Sequence, residues 1–514
     1  MIFNSLVFLL FFPVVAAGYF LLTMWFAPRN QTLANILSRI LLLAASLIFY
    51  GYWNPIYLIL IMISVAVTWA SGLLMEERKV RTKRLVLTGS LVINLGILFF
   101  FKYYNFFVDS IRFLTRNDLS FPAFNVLLPV GISFYTFQAI GYSEDMFYGK
   151  VQAERDFITY ALFVTFFPQL VAGPIERTGN LLPQFKVNHQ FDYERVTSGL
   201  RLAAWGMFKK VVIADRLAIY VNGVFGNPGV YPAAALALAT FFFAIQIYCD
   251  FSGYSDIAIG CAHVLGFNLM NNFRQPYFSR SITEFWRRWH ISLSTWLKDY
   301  LYIPLGGNRK GKVRQKINLL ITFLISGLWH GAAWNFVVWG AMHGVYQIIG
   351  RSTESYREVL CNRMGLGGES RLRKILQVCV TFVLVCFAWI FFRANTLSDA
   401  ILITTKLAQL PVELAGYARG LPRTGIIGTV RNAFQMGGDV ANPIADFGLR
   451  KFGGSVIFIL ILLISDRWSM AVPNNGIKIG KKPLALRWVG YYALIMMILL
   501  SWNAGSSQFI YFTF

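Results

Sequence analysis

The chain has 514 residues, of which 56% are hydrophobic and 17% aromatic but only 14% charged. A water-soluble domain carries about 25% charged residues, so this composition excludes an ordinary soluble fold, and the lack of short alternating segments excludes a membrane β-barrel. The net charge is +23, which in so apolar a chain follows the positive-inside rule and does not point to nucleic acid.

Met1-Ile-Phe-Asn-Ser-Leu has no basic stretch, and the apolar run that follows reaches about Phe26. It is expected to be a retained first crossing and not a cleaved signal peptide. Further apolar runs lie at 33–53, 55–74 and 85–107. Residues 76–84 hold five basic side chains, which places that loop in the cytosol and, three crossings back, the N-terminus outside. Arg29 and Arg39 agree with that orientation.

The stretch 121–172 is interrupted by Pro122, Pro129, Gly131 and Pro168, with Gly173 and Pro174 just beyond it. Non-helical backbone at membrane depth survives only when buried in protein or lining a wet cavity, so this part is expected inside, near a substrate path. Apolar runs resume at 199–222, 232–250, 317–349, 374–393, 454–470 and 485–502. The 317–349 run is too long for one crossing and contains Gly327 and Gly331, which predicts two elements or a broken helix. Residues 411–454 read as loops and short helices outside the bilayer core. The fold class is therefore all-α: a polytopic membrane bundle with about 10–12 crossings plus re-entrant or buried helices. The whole chain reads as one transmembrane domain, with N-terminal helices (1–120), a central core (121–350) and C-terminal helices and loops (351–514).

The five cysteines show no metal-like spacing. Cys249, Cys379 and Cys386 lie in apolar runs and read as small buried hydrophobes. No P-loop, HExxH or GxSxG pattern is present, so these motifs support no NTPase, zincin or serine-hydrolase chemistry.

The informative residues cluster from 250 to 343. Asp250-Phe-Ser252-Gly-Tyr254-Ser-Asp256 ends an apolar run, where capping or pairing roles compete with orienting a histidine. Ser281 with Glu284 forms a capping box that starts a helix, and Glu284 and Arg288 are spaced for an i,i+4 ion pair. Apolar residues at helical spacing from 282 to 300 put His290 in line with Trp286, Leu293 and Leu297. His330 lies in Gly327-Leu-Trp329-His-Gly-Ala-Ala-Trp334-Asn335, a stretch that otherwise reads as membrane interior. An ionisable side chain at such depth is a functional-site hypothesis by default, and imidazole is the ring that exchanges a proton near neutral pH. For His290 a packed histidine bonded to a neighbouring carbonyl remains an equal reading, and for His343 it is the better one. His189 reads as a loop residue, and His263 as a helix histidine with no visible partner. One or two histidines in an apolar tunnel suit general-base activation of a hydroxyl that attacks an acyl thioester. A transporter or flippase working without chemistry, and a scaffold that only recruits other enzymes, stay open on these residues alone.

The chain resembles the membrane-bound O-acyltransferase family, in its bacterial branch that supports alginate O-acetylation. The residues that carry the resemblance are Leu128-Pro-Val-Gly-Ile-Ser-Phe134, Ala172-Gly-Pro-Ile175, Asp250–Asp256, Ser281–Ser294, Tyr300-Leu-Tyr-Ile-Pro-Leu-Gly-Gly-Asn308, Gly327–Gly331 and Phe509-Ile-Tyr-Phe512. The resemblance implies cytosolic and extracytoplasmic funnels meeting at a catalytic His330, with His290 as the second motif histidine. Asp250, Ser252, Tyr254, Trp286, Trp329 and Asn335 are then expected to bind substrate. No bound cofactor or metal is implied. An acyl thioester, acetyl-CoA in the simplest case, is the cytosolic donor, and the bacterial inner membrane is the implied location. Extracytoplasmic SGNH-like acetyltransferases, a polysaccharide and the membrane lipids are the implied partners. Related members transfer D-alanine to teichoic acids. Asp145-Met-Phe-Tyr148 lacks the basic residue expected there, and Cys249 stands where an aromatic or aliphatic residue is expected.

Overall fold

The computed structural model describes residues 1–115, 128–367, 370–434, 447–471, 483–502 and 509–510. Among the described residues all regular structure is helical. Seven helices there are long and apolar enough to cross a membrane: Leu6–Phe26, Gln31–Gly51, Tyr57–Met75, the composite Val80–Thr115, Ala233–Leu265, Arg371–Arg393 and Leu484–Ser501. The chain forms two compact units. Pro122, residues 435–446 and the Tyr511–Phe512 part of the terminal motif lie outside the described residues.

The first unit comprises residues 1–205, 254–272 and 292–301. Its four N-terminal helices follow the expected runs, with one correction. The fourth begins at Val80, so Arg81, Lys83 and Arg84 belong to its first turns and the connecting loop is shorter than 76–84. The 121–172 stretch yields the almost wholly buried helix Ile132–Phe147 and the short helices Phe157–Thr165 and Phe167–Leu170. Interhelical polar contacts hold this unit together: Ser71 and Ser90 meet Ser143 at 2.9 and 3.2 Å, and the Tyr160 hydroxyl donates to Thr68 at 2.6 Å. Such bonds join helices where apolar surface gives no preference over lipid. Asp145 pairs with Lys150 at 3.2 Å, so a cation just after the Asp145-Met-Phe-Tyr148 stretch meets this carboxylate. His263 is not without a partner, since its Nδ1 lies 3.2 Å from Asn268 Oδ1. His189, in a loop as expected, contacts the Gln184 carbonyl.

The second unit comprises residues 206–253, 273–291 and 302–514. The expected 199–222 crossing is three pieces in sequence: Tyr193–Met207, which is counted in the first unit up to Trp205, then a π-helical insertion at Phe208–Ala214 and Asp215–Gly226 in the second. The 317–349 run is two helices, Gly311–His330 and Trp334–Ser352, with the break at Gly331. They form a hairpin whose backbones touch. A Cβ on Gly327 would fall 2.2 Å from the Phe336 carbonyl oxygen, and one on Gly340 2.3 Å from that of Phe323. Glycine here serves close helix packing. Leu410–Ala433 is helical on either side of Gly425, whose φ is 66°. Of the cysteines, Cys249 is buried, but Cys386 is half-buried and Cys379 exposed. The Arg371–Arg393 helix is long and apolar enough to span, and such a helix turns one apolar face outward, so an apolar run does not imply burial.

Candidate active site

The helix start predicted at Ser281 is present: Ser281 Oγ accepts from Glu284 N at 3.1 Å, and Arg288 reaches Glu284 at 2.6 Å. Glu284 also folds back to accept from the Arg280 amide at 2.8 Å. The continuous helix expected through His290 is not present. Ile282–Arg288 ends, His290 takes φ 44°, and a new helix runs from Ile291 to Leu297. A left-handed backbone at a non-glycine residue costs about 1–3 kcal/mol and persists only where surroundings over-determine it. His290 is fully buried, and the Arg288 carbonyl freed by the break accepts from Arg274 N at 2.9 Å. The apolar periodicity was continuous, but the break moves His290 off the Trp286–Leu293 line.

His330 is the last residue of its helix, followed by Gly331 in an extended conformation. A Cβ on Gly331 would strike the Phe336 ring at 2.2 Å, so the chain turns tightly beneath that ring. Three aromatic rings stand edge-on to the His330 imidazole: Trp329 and Trp339 at 5.0 Å between centroids and Phe392 at 5.3 Å. His290 lies 6.2 Å away, and it in turn meets Phe251 at 4.6 Å and Trp329 at 5.7 Å. Trp329 therefore touches both imidazoles. Neither helix of the hairpin is among the seven long apolar ones. The interior character expected of this stretch comes from ring packing more than from uniform apolarity.

The other expected residues separate into groups. Trp286 donates from Nε1 to His343 Nδ1 at 3.2 Å, so His343 is a packed histidine with a fixed acceptor nitrogen. Trp339 bridges the two groups, 5.0 Å from both His330 and His343. Asn335 donates to the Ala394 carbonyl at 2.9 Å, tying the hairpin turn to the end of the Arg371–Arg393 helix. Asp250 and Ser252 belong to an ionic cluster. Tyr254, although on the same helix, is counted in the first unit, where its ring stacks on Phe3 at 4.5 Å.

That cluster includes Lys209 and Lys210, which lie outside the residues expected from sequence. Lys210 Nζ lies 2.6 Å from Asp250 Oδ1 and 2.9 Å from Asp215 Oδ1, with the Lys210 and Asp250 side chains 5% and 3% exposed. Lys209 reaches the Ser252 hydroxyl at 3.2 Å, and the Tyr248 hydroxyl donates to Asp466 at 2.7 Å. Both lysines sit in the π-helical insertion, a feature frequent at functional sites. The available signal was Lys209-Lys210 inside an apolar run, where charged residues are rare and functional.

Residues 151–392 match the profile of the membrane-bound O-acyltransferase (MBOAT) family. The chain is 39% identical over 462 residues to the probable alginate O-acetylase AlgI of Pseudomonas aeruginosa, covering 88% of this chain and 82% of that protein. The chain belongs to the membrane-bound O-acyltransferase family. The peptidoglycan O-acetyltransferase of Helicobacter pylori is 36% identical over 438 residues, 80% of each chain. The teichoic acid D-alanyltransferase of Bacillus subtilis is more distant, 25% identical over 63% of this chain and 81% of its own length. This MBOAT protein is a multi-pass membrane O-acyltransferase of the alginate O-acetylase type.

Proposed function

We propose that this acyltransferase moves an acetyl group from a cytosolic thioester, acetyl-CoA, across the inner membrane for O-acetylation of an extracytoplasmic polysaccharide such as alginate, with His330 as general base. The observation that carries this reading is the placement of His330: an imidazole at a helix C-terminus, walled by Trp329, Trp339 and Phe392, with His290 6.2 Å away. A helix C-terminus favours positive charge, so the imidazolium formed when His330 takes a hydroxyl proton is stabilised where it appears. The freed oxygen attacks the thioester carbonyl. Collapse of the tetrahedral intermediate breaks the C–S bond, and the departing thiolate takes the proton back, leaving an ester and a thiol.

Contacts within the first unit support the orientation of this reading. Glu76, ahead of the basic residues 78–84, pairs with Arg155 at 3.1 Å, and Arg39 pairs with Asp156. These contacts support a cytosolic position for residues 150–156. The Met1 amino group donates to the Phe49 carbonyl, beside the other end of the second helix, in keeping with an external N-terminus. Donor entry from the cytosol and an acceptor outside, reached through SGNH-like partner enzymes, complete the reading. The names of the alginate and peptidoglycan relatives support an acetyl group over D-alanine.

The test replaces His330 with alanine in cells that secrete the polymer. Polymer O-acetylation is expected to vanish while protein level and polymer secretion stay normal. Full acetylation in that strain overturns the assignment.

A further inference from the structure

Asp250 and Phe251 are neighbours on the Ala233–Leu265 helix, and both engage residues 260 or so positions later in the chain. Asp250 Oδ2 accepts the Ile510 amide at 2.7 Å while its Oδ1 is held by Lys210 at 2.6 Å. The Phe251 ring meets Phe509 at 5.8 Å and, in an edge-to-face contact, His290 at 4.6 Å. Phe509 and Ile510 are both buried. His290 holds a left-handed backbone that needs its surroundings to fix it.

From these contacts we infer that Asp250, Lys210 and Phe509 are positioning residues for acyl transfer. Asp250, clamped by Lys210, latches the 509–510 segment, so that Phe509 backs Phe251 and Phe251 wedges His290 at its distance from His330. Asp250 thus serves the transfer through a chain of packed groups and does not itself contact substrate. The inference rests on the reading that the two histidines carry the reaction. A misplacement of about 1 Å at a reacting centre costs on the order of a hundredfold, and loosening one wedge is a milder fault.

The experiment uses the full chain in lipid nanodiscs with acetyl-CoA as donor, and reads kcat and KM for acetyl release. Phe509→Ala leaves the ionic cluster intact and is expected to lower kcat about tenfold, with KM for acetyl-CoA within about twofold. Asp250→Ala is expected to do the same. The double variant should be no slower than the slower single one, because both changes open the same latch. Asp250→Asn keeps an oxygen for the Ile510 amide but gives up the charge pair with Lys210, so it should recover part of the rate lost in the alanine variant, which separates positioning from misfolding if that variant is unstable. Multiplicative losses in the double variant, or losses confined to KM, overturn the latch. His330→Ala is run alongside: if it is inactive while the latch variants turn over like the parent, the latch alone is wrong. If it is fully active, the general-base reading is wrong, and this inference falls with it.

Discussion

Two buried regions of the second unit handle polarity in opposite ways. Around His290, His330 and His343 the walls are Trp286, Trp329, Trp339 and Phe392, packed with ring centroids about 5–6 Å apart and mostly edge to face. Around Lys210 the neighbours are Asp215 and Asp250, with permanent charges matched at 2.6–2.9 Å. A permanent buried charge needs a partner at all times. A titratable ring needs only surroundings that tolerate its charge briefly. The ionic region is architectural, its charges paired among its own side chains, and the aromatic one surrounds its imidazoles with rings.

The comparison breaks first at Lys210. Lys210→Met leaves Asp250 and Asp215 facing each other without their shared cation, and is expected to cost about 3–5 kcal/mol of stability, read as a large drop in the thermal unfolding midpoint of the purified protein. A midpoint equal to the parent's would mean that the ionic region is not architectural. On the aromatic side, Trp286→Phe removes the donor to His343 Nδ1 and should cost about 1–3 kcal/mol by the same melt, less than the lysine change. A loss as large as that of Lys210→Met would erase the distinction. Ser281→Ala belongs to neither network and sets the scale: loss of its bond to the Glu284 amide is worth about 1 kcal/mol, a shift of a few degrees or less.

Local features of the sequence were legible because local rules made them. Ser281, Glu284 and Arg288 specified a helix start and an ion pair that both formed. Gly331 in an overlong apolar run marked the hairpin break, and Trp329 beside His330 is part of its aromatic wall, whereas Trp334 is exposed. The turn at His290 was not legible. No glycine or proline signals it, and its left-handed backbone is imposed by burial in the folded chain. Nor could Asp250, Ser252 and Tyr254, adjacent on one helix, be sorted by sequence into an ionic cluster and a stacking contact with Phe3. The partners of those three residues lie 40 or more positions away, and one partner of Asp250 is on a segment 260 residues further on.

The alternation of the chain between its two units sets a timetable for synthesis. Residues 206–253 of the second unit are made before residues 254–272 and 292–301, which the first unit still lacks. The first unit can close only once residue 301 has emerged. Asp250 meets Lys210 early, but its other oxygen waits for Ile510, 260 residues later. At about 5–20 residues per second that is a delay of roughly 13–52 s. The bond that completes the surroundings of His290 is thus among the last the ribosome makes possible, so an incompletely made chain carries the histidines without the contact that steadies them.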